Sequence, residues 1–214
     1  VELDKDLIKQ LNDKFSKFDV FTLVQGDILK TDIESFDLGF TKIIANIPYN
    51  ITSPILDKFV GRLGKIQKYN FDKLVFLMQK EVADRIVARE GTSNVSALTT
   101  KIKLISKVEK ICDINPSSFI PPPKVHSSLV VFEPFPQNLR LDLELEKCID
   151  RILKVAFNGR RKKLKNTLCS LFSQKEFEDL KFLSKINFDI RPQDISIETW
   201  KMIAEYCIKI EKSR

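Results

Sequence analysis

The sequence predicts an α/β sheet domain followed by a small all-helical domain, and three observations carry that reading. Apolar, β-branched runs alternate with amphipathic helical runs through the first two thirds of the chain. The proline-broken segment Glu133-Pro134-Phe135-Pro136 interrupts the alternation. From Leu141 onward only helical periods remain. Strands that alternate with helices imply a largely parallel sheet covered on both faces. The domains are accordingly placed at residues 1–136 and 137–214.

Each element has its own signal. After Val1-Glu2-Leu3, which reads as the end of a strand, Leu7, Ile8, Leu11 and Phe15 fall at helical spacing, and Val20 to Val24 reads as a strand that Gly26-Asp27 ends. Lys42 to Ile47 is the next strand. Ser53 to Leu63 is a helix with Pro54 in its first turn, where a missing N–H costs nothing. Lys73 to Met78 is a buried strand, Lys80 to Arg89 and Asn94 to Ser106 are helices, and Val108–Ile114 and Ser127–Phe132 are strands. These last two flank Phe119-Ile120-Pro121-Pro122-Pro123 and are expected as an antiparallel pair at the sheet edge. Helices follow at residues 145–157, 162–172, 175–183 and 197–210.

Composition bounds the function. The 214 residues suffice for one sizeable domain and a smaller one, and 43% hydrophobic with 30% charged residues describes a globular protein. No apolar run approaches the roughly 20 residues needed to span a bilayer, and no leader pattern occurs, so a cytoplasmic protein with no membrane partner is expected. Cys112, Cys148, Cys169 and Cys207 lie far apart with only His126 to join them, which gives no metal-ligand spacing. They read as reduced, mostly buried thiols. The net charge is +7, and residues 139–214 hold 17 Lys and Arg against 12 Asp and Glu. An excess concentrated in one third of the chain is what a polyanion-docking region shows.

Asn46-Ile47-Pro48-Tyr49 carries the most chemistry. It follows Lys42-Ile43-Ile44-Ala45, so a buried strand empties into a rigid turn, and in open α/β sheets ligands bind at the carboxyl ends of strands. The Asn46 side-chain oxygen and the Pro48 carbonyl can both accept from an exocyclic amine, and the Tyr49 ring can stack on the base that carries it. The alternative for the tetrapeptide alone is a strand-ending turn with a core tyrosine. Arg160-Arg161-Lys162-Lys163 with Lys165 follows Asn158-Gly159, a helix stop and restart. Cations at a helix start oppose its macrodipole, so phosphate binding explains the cluster better than local helix energetics; a solvated charge run is the alternative.

These segments resemble the ribosomal RNA adenine dimethyltransferases that use S-adenosylmethionine. The resemblance runs through VELD at 1–4, VQGDIL at 24–29, NIPYNITSPIL at 46–56, FLMQKEVADRI at 76–86, FIPPPKVHSSLVVF at 119–132, AFNGRRKKLKNTL at 156–168 and RPQDIS at 191–196, all in family order. It implies a Rossmann-like class I methyltransferase sheet with a helical RNA-binding domain, acting as a monomer on the small ribosomal subunit without a metal. It implies that Glu2 accepts the cofactor's ribose hydroxyls, that Asp27 accepts from its adenine amine with Ile28 against the ring, and that Asn46 also belongs to this set. It further implies that Asn46, Pro48, Tyr49 and Phe119 form the catalytic set, with Phe119 stacking on the target adenine opposite Tyr49. Arg160, Arg161, Lys162, Lys163 and Lys165 are implied to contact RNA. His126 stands where the family often has an acidic residue, and no role is assigned to it.

The expected activity is dimethylation of two adjacent adenines near the 3′ end of 16S-type ribosomal RNA. A large-subunit methyltransferase of the antibiotic-resistance branch and a non-catalytic nucleic-acid-binding relative are the alternatives. One departure stands out. The family's glycine-rich loop is absent, since glycines 26, 39, 61, 64, 91 and 159 never form G-x-G. The chain opens at what should be the end of the second strand, so further upstream sequence is expected, and these 214 residues alone are not expected to be a competent enzyme.

Overall fold

The computed structural model describes residues 1–36, 39 and 41–213. The chain divides into two compact units, residues 1–40 and 41–214.

In the first unit, helix α1 (Lys5–Phe15) begins where the Asp4 carboxylate accepts from Asp6 N at 2.8 Å, and Phe15 packs on Phe18 and Phe21. The strand expected at 20–24 reduces to one parallel bridge between Glu2 and Gln25, in which Glu2 N donates to Val24 O and Gly26 N to Glu2 O, both at 2.9 Å. The partner segment turns into α1 within three residues of Glu2, so the ladder has a single rung.

The second unit contains β1 (Lys42–Asn46), α2 (Thr52–Phe59), β2 (Lys73–Gln79), α3 (Lys80–Ile86), α4 (Ala97–Ile105), β3 (Ser106–Ile114) and β4 (Ser127–Pro134), then α5 (Leu143–Asn158), α6 (Leu164–Leu168), α7 (Gln174–Ser184) and α8 (Ile197–Ser213). Among the described residues the sheet order is β1-β2-β4-β3. The largely parallel sheet expected from the sequence is corrected here. β1 and β2 run parallel and β3 with β4 form the expected antiparallel pair at the edge, but β4 is antiparallel to β2 as well. The connection from β3 to β4, residues 115–126, is spent on a proline-rich loop and holds no crossover helix, so the two strands can only return antiparallel.

Strand alternation sets the core. Leu74, Phe76, Met78, Val130 and Phe132 are fully buried, with the Phe76 and Phe132 rings 5.8 Å apart, and α3 and α4 pack onto the sheet. Apart from Ser127 at the start of β4, the alternate apolar residues of β2 and β4 are only half-buried, and Ile44 on β1 is 83% exposed, so that face is covered less completely within this unit. β4 runs on through Pro134, paired with Ser106, and shortens the expected linker. A terminal rung tolerates a residue without an N–H. Helix α2 stops at Phe59 rather than Leu63 because the chain reverses at Gly61, whose φ of +108° suits glycine.

The helical segment closes around Ile149, Ile152, Leu153, Ala156, Leu164 and Trp200, all 1% exposed or less. Its entry is held by a buried ion pair. Arg140 Nε and Nη2 donate to the Glu146 carboxylate at 2.8 and 2.6 Å, Gly64 N donates to the same carboxylate at 2.9 Å, and Arg140 Nη2 also reaches Arg62 O at 3.1 Å. The cysteine expectation is half corrected: Cys148 and Cys207 are buried, while Cys112 and Cys169 are exposed.

Candidate active site and nucleic-acid interface

The end of β1 is built by the backbone. Ile47 N donates to Leu77 O at 3.0 Å and the Ile47 side chain is 1% exposed, which anchors the turn from within. Pro48, at φ −56°, leads into the short 3₁₀ turn Tyr49–Ile51 and then directly into α2. Ile51 N donates to Pro48 O at 3.1 Å, and Thr52 Oγ1 donates to Tyr49 O at 3.3 Å. Asn46 is consequently exposed, and its side chain makes no hydrogen bond among the described residues. The Pro48 carbonyl keeps one of its two lone pairs. The strand end therefore offers two uncommitted acceptor positions, two residues apart on a rigid turn.

Tyr49 is half-buried, and its hydroxyl lies 2.7 Å from Ser127 Oγ at the start of β4. Phe119 is half-buried as well. It follows the 3₁₀ turn Pro116–Ser118, capped by Asn115, and donates its N–H to Pro116 O at 3.1 Å. Tyr49 and Phe119 make no ring contact with each other among the described residues. His126 is exposed, and its carbonyl accepts from Lys80 N at 2.9 Å, tying the start of β4 to the start of α3.

A charge network braces the same corner. Lys80 pairs with Asp113 at 2.5 Å and Asp84 at 3.2 Å, Lys110 pairs with Asp84 at 2.6 Å, and Ser128 Oγ donates to Asp113 at 2.7 Å. The Lys80 ammonium, helped by the Ser128 hydroxyl, holds the Asp113 carboxyl well below the usual carboxylate range, and Asp113 in turn raises Lys80.

In the first unit, Glu2 Oε1 accepts from Leu3 N at 2.7 Å and Asp4 N at 2.9 Å, while Asp27 Oδ1 accepts from Leu29 N at 2.9 Å. Each carboxylate is thus oriented through one oxygen, and the other has no hydrogen-bond partner among the described residues. Such half-satisfied acceptors fit the hydroxyl and amine donors of an adenosine group. Gly26 precedes Asp27, and a Cβ there would come within 3.1 Å of Thr31 Oγ1. Among the described residues no cluster of three or more metal-ligating side chains occurs.

The basic run divides by its partners. Arg160 donates to Ser93 O at 2.8 Å and Val95 O at 3.1 Å, across 65 or more residues of chain. Lys163 and Lys165 share Asp189 at 3.0 and 2.8 Å and lower its pKa to about 2, Lys165 contributing most. Arg161 and Lys162 are exposed, with no side-chain ion pair among the described residues. Lys162 lines a cleft of about 450 Å³ with Lys154, Asn158, Asn166 and Ser170. Three of the five cations, Arg160, Lys163 and Lys165, thus have protein partners. Sequence reading missed Ser127, although two serines at the head of an apolar strand were a signal. It also missed the cleft residues, which no motif marks.

Comparison with known proteins decides the family. Residues 1–209 match the model of the family described as ribosomal RNA adenine dimethylase. The chain belongs to that family. Over 212 residues it is 58% identical to the ribosomal RNA small subunit methyltransferase A of Prochlorococcus marinus strain MIT 9301, covering 99% of this chain and 77% of that protein. The protein of the same name from Synechococcus sp. strain CC9902 is 40% identical, over 95% of this chain and 75% of its own length. Among solved structures, a dimethyladenosine transferase from Plasmodium falciparum superposes with a TM-score of 0.73 at 26% identity, over 97% of this chain and 80% of that one. The 23S rRNA methyltransferase ErmE superposes with a TM-score of 0.72 over the same shares at 20% identity, a likeness of fold alone. As a member of the family the protein is an α/β, Rossmann-like rRNA adenine dimethyltransferase, a class of methyltransferase that uses S-adenosylmethionine. No helix among the described residues is long and apolar enough to cross a membrane.

Proposed function

We propose that this protein dimethylates the exocyclic amines of two adjacent adenines near the 3′ end of small-subunit ribosomal RNA, during ribosome assembly. The observation that carries the reading is the strand end Asn46-Ile47-Pro48-Tyr49, whose path is held by hydrogen bonds of Ile47 N and Pro48 O while the Asn46 side chain and the second lone pair of Pro48 O have no partner among the described residues, in a chain of the rRNA adenine dimethylase family. The names of the relatives favour the small subunit over the large. The reading places the protein in the cytoplasm as a monomer, with residues 1–136 serving catalysis and 137–214 serving RNA binding.

S-adenosylmethionine supplies an electrophilic methyl group when bound. Glu2 and Asp27 would hold its ribose hydroxyls and adenine amine through the carboxylate oxygens that have no partner among the described residues, with Ile28 against the ring. Asn46 Oδ1 and the remaining lone pair of Pro48 O accept the two N–H bonds of the target amine. An aryl amine is a weak nucleophile because its lone pair is delocalised into the ring. Two acceptors pull it toward tetrahedral geometry, localise the lone pair and stabilise the positive charge that develops on nitrogen. No strong base is needed before attack, since the alkylated ammonium is acidic. Tyr49 and Phe119 compensate the few kcal/mol lost when the adenine leaves its stack. Arg161 and Lys162, beside the Lys154–Ser170 cleft, meet the RNA backbone, with Lys163 and Lys165 available in exchange for Asp189, while Arg160 holds the 93–95 loop in place.

The test is methyl incorporation by the full-length protein into unmethylated small-subunit particles and into free large-subunit RNA. Two methyl groups on each of two adenines in the former, and none in the latter, is the expected result. The reverse preference would move the protein to the large-subunit branch, and no transfer to either would leave a binding relative.

A further inference from the structure

We infer that Ser127 is a positioning residue for Tyr49, setting the plane in which that ring meets the target base. The inference rests on the reading of Tyr49 as the ring that stacks on the adenine. Tyr49 opens a 3₁₀ turn, and a tyrosine ring on a turn is free to swing, because its second torsion has a broad, shallow profile. Its hydroxyl is the far end of the lever. That hydroxyl is tied at 2.7 Å to Ser127 Oγ, a fully buried atom with no other side-chain hydrogen bond among the described residues.

The anchor itself cannot move easily. Ser127 is the first residue of β4 and pairs with Gln79 on one side and Ile114 on the other, so three strands meet at it. The preceding carbonyl, of His126, accepts from Lys80 N at 2.9 Å. The following residue, Ser128, points to the opposite face by strand alternation and donates to Asp113, which Lys80 and Lys110 both clamp. The paired serines thus do different jobs: Ser128 locks the strand to the charge network, and Ser127 transmits that rigidity across the sheet to the ring. Phe119, by contrast, is placed by its own loop, so the two rings are positioned independently.

The test uses full-length protein, unmethylated small-subunit particles and S-adenosylmethionine, with kcat, cofactor KM and particle affinity measured separately. Ser127→Ala and Tyr49→Phe each remove the tether and keep the ring. Each should lower kcat by about tenfold, the rate equivalent of about 1.4 kcal/mol, with cofactor KM, particle affinity and melting temperature nearly unchanged. The double variant should be no slower than either single, because both remove one interaction. A single variant turning over at the wild-type rate, or a double variant whose loss is the product of the two, would overturn the inference. Should Ser127→Ala fail to fold, Tyr49→Phe decides alone. Tyr49→Ala separates the two levels. If it is inactive while Ser127→Ala and Tyr49→Phe are normal, only the tether is wrong; if it is fully active, the reading of Tyr49 falls as well.

Discussion

The turn at the end of β1 and the basic run at residues 160–165 both carry the polar groups expected to meet RNA, yet they are built in opposite ways. At the turn the backbone does the holding. Ile47 N and Ile51 N fix the path, with one side chain, Thr52, adding a hydrogen bond to Tyr49 O, and the Asn46 side chain is left without a protein partner among the described residues. In the basic run the side chains do the holding. Arg160 staples the 93–95 loop, and Lys163 and Lys165 neutralise Asp189. A polar motif at a turn is therefore a fair guide to free chemistry, whereas a run of charges overstates the surface free to bind. The Arg140–Glu146 pair is the limiting case, two full charges with no exposure that serve packing alone.

That contrast can be broken or sharpened in order of effect. Glu146→Ala should be the largest, since it strands the Arg140 guanidinium and the Gly64 N–H in the interior. A loss of about 3–5 kcal/mol in denaturant unfolding is expected, and a change under about 1 kcal/mol would show that water reaches the pair. Arg160→Ala should come next. It should cost about 1–2 kcal/mol of stability, through its two carbonyl contacts, and leave the salt dependence of RNA binding unaltered. The smallest effect is at Asp189. Its pKa, depressed to about 2, means that its ion pairs stabilise the fold above the ordinary carboxylate range and are lost as pH falls from about 4 through about 2. A carboxyl titration by NMR should place the Asp189 midpoint near 2, moving upward in Lys165→Ala; a midpoint near 4 in the wild type would mean that both lysines are free for RNA.

Much of this was legible in the sequence. The β1 strand, its Asn-Ile-Pro-Tyr end, the antiparallel edge pair and the helical C-terminal region all follow from local period and turn chemistry. The sheet direction at β4 did not, because an apolar run reads the same whichever way it pairs, and a long-range partner chose it. The strand at 20–24 failed for a related reason, having one rung to pair with. The division of the basic run was invisible because it depends on Ser93, Val95 and Asp189, residues remote in sequence with no motif of their own. Ser127 shows the same limit, for its importance lies in an atom 78 positions away.

The central claim is that chemistry and binding are separated, with the β1 turn serving the first and Arg161 with Lys162 serving the second. One paired measurement tests it: single-turnover methyl transfer at saturating small-subunit particles, alongside particle affinity across salt, for Asn46→Ala and for Arg161→Ala with Lys162→Ala. Asn46→Ala should slow transfer by about 10²–10³ with affinity and salt slope intact. The double arginine–lysine variant should keep the saturated rate and flatten the slope by about 0.7–0.9 for each phosphate it no longer neutralises. If Asn46→Ala weakens binding without slowing the saturated step, or the basic variant slows the step without changing the slope, the separation does not exist and the account is wrong.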